Sequence, residues 1–312
     1  MFGHCRNLNA QDRRRFVQKD IMTPADYEYL QKILKERSGL MLSADKKYLL
    51  ESRLLPLARK LGVAGIGEVV QKMKGGSAQV IADVVEAMTT NETFFFRDKT
   101  PFDHFKDTVV PDLIKARAGK RSLRIWCAAG STGQEPYSLA MILKDMSAQL
   151  PGWRLEIIAT DLSPEVLEKS RAGLYTQFEV QRGLPIQSLV KHFTQVGTMW
   201  QLNADVRALV QFRQFNLLQD FASLGKFDII FCRNVLIYFD QPTKSDIFGR
   251  LAKASEPDGC LFLGAAETVI GLTDKYRVCP NRRGVYLPVD ARAAPSITSA
   301  GAAAKMQASA GR

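Results

Sequence analysis

The sequence predicts an α/β protein in which a mostly parallel sheet with an antiparallel last strand follows an all-helical N-terminal domain and is interrupted by a small β-subdomain. Three observations lead there. Between about 23 and 90 the apolar residues recur at helical spacing. From 122 onward, short apolar, β-rich runs alternate with helical runs, the grammar of a parallel sheet covered on both faces. At the end, Tyr276–Val278 and Gly284–Leu287, joined by Pro280-Asn281-Arg282-Arg283, read as an antiparallel edge pair.

In the helical part, Thr23-Pro24 with Asp26 and Glu28 behind them form a helix start, and Gly39 follows the apolar run. Leu50, Leu54, Leu57 and Leu61 make one stripe of a second helix ending at Gly62, and Val80, Ile81, Val84, Val85 and Met88 repeat the pattern. The sheet begins with 123–129, followed by a helix from Pro136 to Leu150. Residues 155–161 form the next strand, and Ser163 caps a helix that ends at Gly173. Residues 210–216, 227–234 and 260–266 supply further strands, with a helix from Gln241 to Ala254. Residues 174–209 are too long for a structureless loop and are read as the inserted subdomain.

The expected organisation is a flexible arm (1–21), a helical domain (22–90), a linker (91–104), a sheet domain (105–289) and a disordered tail (290–312). The arm is polar and basic, and Met22 is an alternative start. The tail is rich in Ala, Ser and Gly and cannot bury enough surface to offset its ordering entropy.

Composition narrows the function. The 312 residues, 46% of them apolar, suffice for two cores. Forty-three Lys and Arg against 32 Asp and Glu give +11, which favours an anionic partner. The five cysteines form no C-x-x-C pair and the three histidines no ligand pair, so neither a disulfide framework nor a metal site is expected. The longest uncharged apolar stretch, Cys260–Ala266, falls far short of the roughly 20 residues of a membrane helix. No apolar signal core is visible near the start, and a cytoplasmic protein is expected.

Ligands of open parallel sheets bind beyond the carboxyl ends of the strands. There the chain places Gly130-Ser131-Thr132-Gly133, Asp161, Asn216-Leu217 and Arg233-Asn234. The glycine turn ahead of a helix suits an anionic group, or is a plain strand-to-helix turn. Asp161 suits ribose hydroxyls, or caps the next helix. The polar rim needs partners, and an adenosine ligand supplies them. The linker Asn91-Glu92-Thr93-Phe94-Phe95-Phe96-Arg97 has three aromatics able to wedge the two domains, leaving Asn91, Thr93 and Arg97 to face a site. Ordinary packing explains the aromatics but not Arg97.

The motifs NETFFFRD, CAAGSTGQEPYSLA, TDLSPEVLEKSRAGLY and FDIIFCRNVLIYFD, in this order, closely resemble the bacterial chemotaxis receptor methyltransferases, the CheR family, over about 23–288. The resemblance implies a class I S-adenosylmethionine-dependent methyltransferase fold. It implies methyl transfer from S-adenosylmethionine to glutamate side chains of the chemoreceptor cytoplasmic helical bundle, with S-adenosylhomocysteine as product. It further implies that Asn91, Thr93, Arg97, Gly130, Glu135, Asp161, Asn216, Leu217, Arg233 and Asn234 contact the cofactor. Arg97 and Tyr238 would flank the methyl group. The family often has two glutamates after S-T-G, where this chain has Gln134-Glu135.

Lys46, Arg53 and Lys60 recur every seven residues along one edge of the second helix and, with Arg59, are expected to dock the acidic receptor surface. A solvated face of snorkelling side chains is the simpler alternative. The shortened loop at Val196-Gly197-Thr198 suggests independence from the receptor-tail peptide that some family members hold. No nucleic acid partner, no membrane insertion and a monomer are expected. A dehydrogenase lacks its G-x-G-x-x-G here. A nucleic-acid methyltransferase suits the charge but lacks N-P-P-Y, and methyl transfer to another protein or nucleic acid is the alternative function. A non-catalytic binding module would keep cofactor affinity without transfer.

Overall fold

The computed structural model describes residues 22–43 and 46–289. The expected arm at 1–21 and tail at 290–312 lie outside the described residues. The chain forms two compact units. One takes the residues up to Thr90 together with Tyr238–Asp240; the other takes Asn91–Ile237 and the chain from Gln241 on.

Among the described residues the first unit holds the helices α1 (Pro24–Ser38), α2 (Lys47–Lys60), α3 (Ile66–Lys74) and α4 (Ala78–Met88). Thr23 and Asp26 close a reciprocal capping box at the start of α1, and Gly39 ends it in the left-handed conformation. Leu30, Leu34, Leu50, Leu54, Val69, Val70 and Val84 are fully buried, so each amphipathic stripe faces a common core. Lys74 on α3 pairs with the buried Asp26 at 2.6 Å. Burial raises the Asp26 pKa, but the hydrogen bonds from Lys74 and Thr23 outweigh it and hold the carboxyl below its ordinary value. Tyr238–Asp240, expected within the sheet domain, group with these helices instead. The Met41 N–H donates to the Tyr238 carbonyl (2.9 Å), and Lys35 pairs with Asp240 at 2.7 Å.

The second unit is a seven-stranded sheet with helices around it. Its strands are β1 (Ser122–Ala128), β2 (Arg154–Asp161), β6 (Val210–Gln214), β7 (Phe227–Cys232), β8 (Ser255–Leu263), β9 (Tyr276–Val278) and β10 (Val285–Pro288). The order is β6-β2-β1-β7-β8-β10-β9, parallel except for β10, which runs antiparallel to both its neighbours. Helical segments α5 (Thr100–His104) and α6 (Val110–Ala116), joined by a π-helical turn, precede the sheet. Then come α7 (Gln134–Asp145), α8 (Pro164–Ala172) and, after the subdomain, α12 (Gln241–Ala254). Alternate residues of the central strands, such as Ile125, Cys127, Ile229, Phe231, Cys260 and Phe262, enter one core. On the other face Trp126 packs edge-on against Phe215 and Phe221, with ring centroids 6.4 and 5.0 Å away.

The insertion carries β3 (Leu174–Thr176), α9 (Gln177–Gln181), α10 (Ile186–His192), β4 (Phe193–Val196), β5 (Met199–Leu202) and α11 (Ala204–Arg207). Its strands form a separate antiparallel sheet in the order β3-β5-β4. Gly197 (φ +60°) and Thr198 make the β4–β5 turn. For the linker aromatics the sequence left two roles open, a wedge between the domains and ordinary packing, with packing the main one. Phe95 is fully buried within the second unit, edge-on to Tyr175 and Phe193 at 5.1 and 5.7 Å, because the subdomain offers it an aromatic pocket. No helix among the described residues is long and apolar enough to cross a membrane.

Candidate active site at the carboxyl ends of the strands

Strain marks the place. Of the eight non-glycine residues with positive φ among the described residues, six lie in the linker or just beyond the ends of β1 and β7: Phe96, Asp98, Lys99, Ala129, Ser131 and Asn234. Side chains adopt this conformation only where their surroundings enforce it, and such residues cluster at functional sites.

The turn after β1 is held from every side. The Gly130 N–H donates to the Thr160 carbonyl (2.9 Å), and the Ser131 N–H to the Asp161 carboxylate (2.8 Å). The Ser131 hydroxyl donates to the Asn91 carbonyl (2.8 Å), while its own carbonyl accepts from Ser170 (2.8 Å). Tyr175 donates to the Thr132 carbonyl (2.8 Å). Asn91, Gly130 and Asp161 thus come together. Helix α7 follows at once with no side-chain cap, so its first amides are left for other acceptors. The second Asp161 oxygen accepts the Ser163 N–H at 3.0 Å.

Arg233 was expected on the rim as an adenosine contact. In the structure it is a buried hub, only 5% exposed. One terminal nitrogen donates to Glu135 (2.7 Å); the other donates to Asp98 (2.8 Å) and to the Arg97 carbonyl (2.9 Å). A guanidinium this deep must be matched by carboxylates, and the linker and α7 supply them. Its Nε remains a buried donor without a protein partner. Glu135 is its counterion: burial pushes this carboxyl above its ordinary value, and Arg233, with a smaller pull from Arg97, offsets only part of that. Cys127, next to last in β1, and Cys232, the last residue of β7, are fully buried, which raises both thiols well above their ordinary value and leaves them inert.

Sequence reasoning missed Glu267. Its carboxylate accepts four backbone N–H groups: Asn234 (2.8 Å), Val235 (3.0 Å), Leu236 (2.8 Å) and Gly264 (2.8 Å). A single acid therefore fastens the chain leaving β7 to the chain leaving β8. Gly264 cannot carry a side chain, because a Cβ there would stand 2.8 Å from both Glu267 Oε2 and Asn234 Nδ2. The available signal was an acid three residues after a glycine that closes a strand.

The remaining predicted residues fall as follows. Asn216 is half-buried and accepts the Leu218 N–H (3.0 Å) with its side-chain oxygen; Leu217 is buried, and its carbonyl accepts from Arg250 (2.7 Å). Thr93 is half-buried on the linker. Arg97 donates to the Glu92 carbonyl at 2.8 Å, its guanidinium 5.6 Å from the Phe94 ring centre. Tyr238 belongs to the first unit, as do the four docking candidates. Among these Arg53 has another task. Its guanidinium donates to the carbonyls of Met88 (2.6 Å) and Thr89 (2.9 Å) and to the Thr90 hydroxyl (2.9 Å), neutralising the C-terminal end of α4. Arg59 and Lys60 are exposed and Lys46 is half-buried.

The residues present fit an adenosyl ligand. The acid closing β2 lies beside a strained glycine turn, the first helix amides after β1 lack a cap, and one buried Nε–H waits for an acceptor. Together with the antiparallel β10 set between β8 and β9, this arrangement defines a class I S-adenosylmethionine-dependent methyltransferase. Residues 91–285 match the CheR methyltransferase SAM-binding domain, and residues 25–89 match the CheR methyltransferase all-alpha domain. The chain belongs to the CheR methyltransferase family. It is similar to chemotaxis protein methyltransferase 1 of Pseudomonas aeruginosa, with 43% identity over 84% of this chain and 96% of that protein. It is likewise similar to chemotaxis protein methyltransferase Cher2 of Pseudomonas putida, with 41% identity over 83% and 96%. The chemotaxis protein methyltransferase of Escherichia coli shares 34% identity over 82% and 88%.

Proposed function

We propose that this methyltransferase converts glutamate side chains of chemoreceptor cytoplasmic domains to methyl esters in the cytoplasm, releasing S-adenosylhomocysteine. The observation that carries this reading is Arg97, whose carbonyl accepts from the buried Arg233 while its guanidinium donates to a backbone carbonyl, that of Glu92. Bound S-adenosylmethionine supplies an electrophilic methyl group on a sulfonium. A glutamate, with a pKa of about 4.3, is already ionised at neutral pH, so no strong base is required. What the protein must provide is alignment.

Asn91, Thr93, Asp161, Asn216, Leu217 and Asn234 would hold the nucleoside side of the cofactor. Glu135 and Arg233 would set the depth of the pocket through their mutual ion pair. Arg97 would bind a carboxylate, that of the substrate or of the methionine part of the cofactor, by charge-assisted hydrogen bonds. Tyr238 would orient the attacking oxygen. The docking proposal narrows to Lys46, Arg59 and Lys60, since Arg53 is engaged with α4. The short Gly197-Thr198 turn supports a form that works without a receptor-tail peptide.

Incubating the full chain with methyl-labelled S-adenosylmethionine and a chemoreceptor signalling domain should produce label that base releases as methanol. Arg59→Glu with Lys60→Glu should raise the receptor KM about tenfold, close to 1.4 kcal/mol, with cofactor affinity intact. Base-stable label, or equal loss of both affinities, would contradict the reading.

A further inference from the structure

We infer that Arg182 and Gly183, in the inserted subdomain, are positioning residues for Arg97, so that the subdomain helps to set the geometry of methyl transfer. The inference rests on the role proposed above for Arg97.

Four observations on the linker converge. The ring of Phe94 has two guanidinium groups on it, that of Arg182 at 4.5 Å and that of Arg97 at 5.6 Å from its centre. Two cations that repel each other in water are thus held by one aromatic ring. Glu92 links the same pair: its carboxylate accepts from Arg182, and its carbonyl accepts from Arg97 at 2.8 Å. Arg182 holds that carboxyl below its ordinary pKa range, with a smaller contribution from Arg97. Gly183 lies flush against the linker at φ +85°, where a Cβ would stand 2.1 Å from the Phe95 carbonyl oxygen. Phe95 itself is buried edge-on between Tyr175 and Phe193, both from the subdomain.

The ion pair alone would hold little, because the Arg182 and Glu92 side chains are 41% and 59% exposed. The stacking and the close glycine approach give it a fixed frame. Arg97 takes its direction from the Glu92 carbonyl, Glu92 is tethered by Arg182, and the backbone between them cannot shift without leaving Gly183. None of these subdomain residues is proposed to touch substrate or cofactor.

The experiment compares Arg182→Ala, Arg182→Lys and Gly183→Ala in the full chain. Arg182→Ala should lower kcat for a chemoreceptor domain about tenfold, with receptor KM and S-adenosylhomocysteine affinity within twofold of the parent chain. Arg182→Lys keeps the charge for Glu92 but loses the planar stack on Phe94, so only part of kcat should return. Gly183→Ala should lower kcat at least as far. Backbone hydrogen exchange over 92–97, which needs no substrate, should quicken about tenfold in Arg182→Ala while the unfolding midpoint moves by less than about 3 °C. Unchanged kcat and unchanged exchange would overturn the inference, as would a kcat loss that only follows a loss of folded protein. Absence of methyl transfer by the parent chain would instead fail the proposed function, leaving the exchange result to decide this one.

Discussion

Replacing Arg97 with alanine is expected to reduce methyl transfer about a thousandfold, roughly 4 kcal/mol of transition-state stabilisation, while the chain stays folded. The side chain makes one hydrogen bond, to the Glu92 carbonyl, and contributes little to the core. Arg97→Lys should recover little, since a point charge cannot reproduce a planar fork aimed at a carboxylate. The two possible carboxylates separate in calorimetry. If Arg97 holds the substrate, the alanine variant binds S-adenosylhomocysteine as the parent does and loses only kcat. If it holds the methionine part of the cofactor, that affinity falls in proportion to the rate. A variant with near-parental kcat/KM would remove Arg97 from the chemistry.

The second large effect is expected at Glu267. Glu267→Gln keeps the shape but replaces one acceptor oxygen by a donor, and that oxygen serves two of the four backbone N–H groups on either side of the carboxylate. Each buried donor left unsatisfied costs about 1–3 kcal/mol. The chain segment Asn234–Leu236 should then leave its place, and Asn234, held at φ +57°, should relax toward an ordinary conformation. Affinity for S-adenosylhomocysteine should fall about a hundredfold, and the unfolding midpoint by several degrees. Gly264→Ala should act in the same direction by pushing the carboxylate away. Calorimetry and thermal unfolding of both variants check this. Parental affinity in Glu267→Gln would mean that the segment does not shape the cofactor site.

What the sequence made legible was local. Thr23 and Ser163 cap their helices, and Gly39 and Gly173 end them in the left-handed conformation, because caps act within a few residues. The strand-tip residues Gly130, Asp161 and Asn234 were found by the same logic, since a strand's end can be read from where its apolar run stops. Helix α3 was not singled out within the helical region: Gly65, Gly67, Gly75 and Gly76 lower the helix propensity of its segment, and its place depends on tertiary contacts such as Lys74 with Asp26. Strand β8 starts at Ser255 and ends at Leu263, whereas the apolar pattern predicts 260–266. Its polar first half is secured instead by Arg117, which pairs with Asp228 and Asp258.

That the sequence did not reveal the protein partners of Arg233 and Arg53 has one cause. A lone arginine is defined by its partners, and these lie far along the chain: Glu135 for Arg233, the end of α4 for Arg53. Spacing carries no information about such pairings. Glu267 escaped notice for the opposite reason. It bonds only backbone amides, so no complementary side chain exists to betray it.

The central claim is that the strand tips of the second unit bind an adenosyl sulfonium. Isothermal calorimetry of the purified full chain with S-adenosylhomocysteine tests it most directly. One site per chain with a saturable heat, abolished by Asp161→Ala, is the predicted result; no heat with either this compound or S-adenosylmethionine would contradict it.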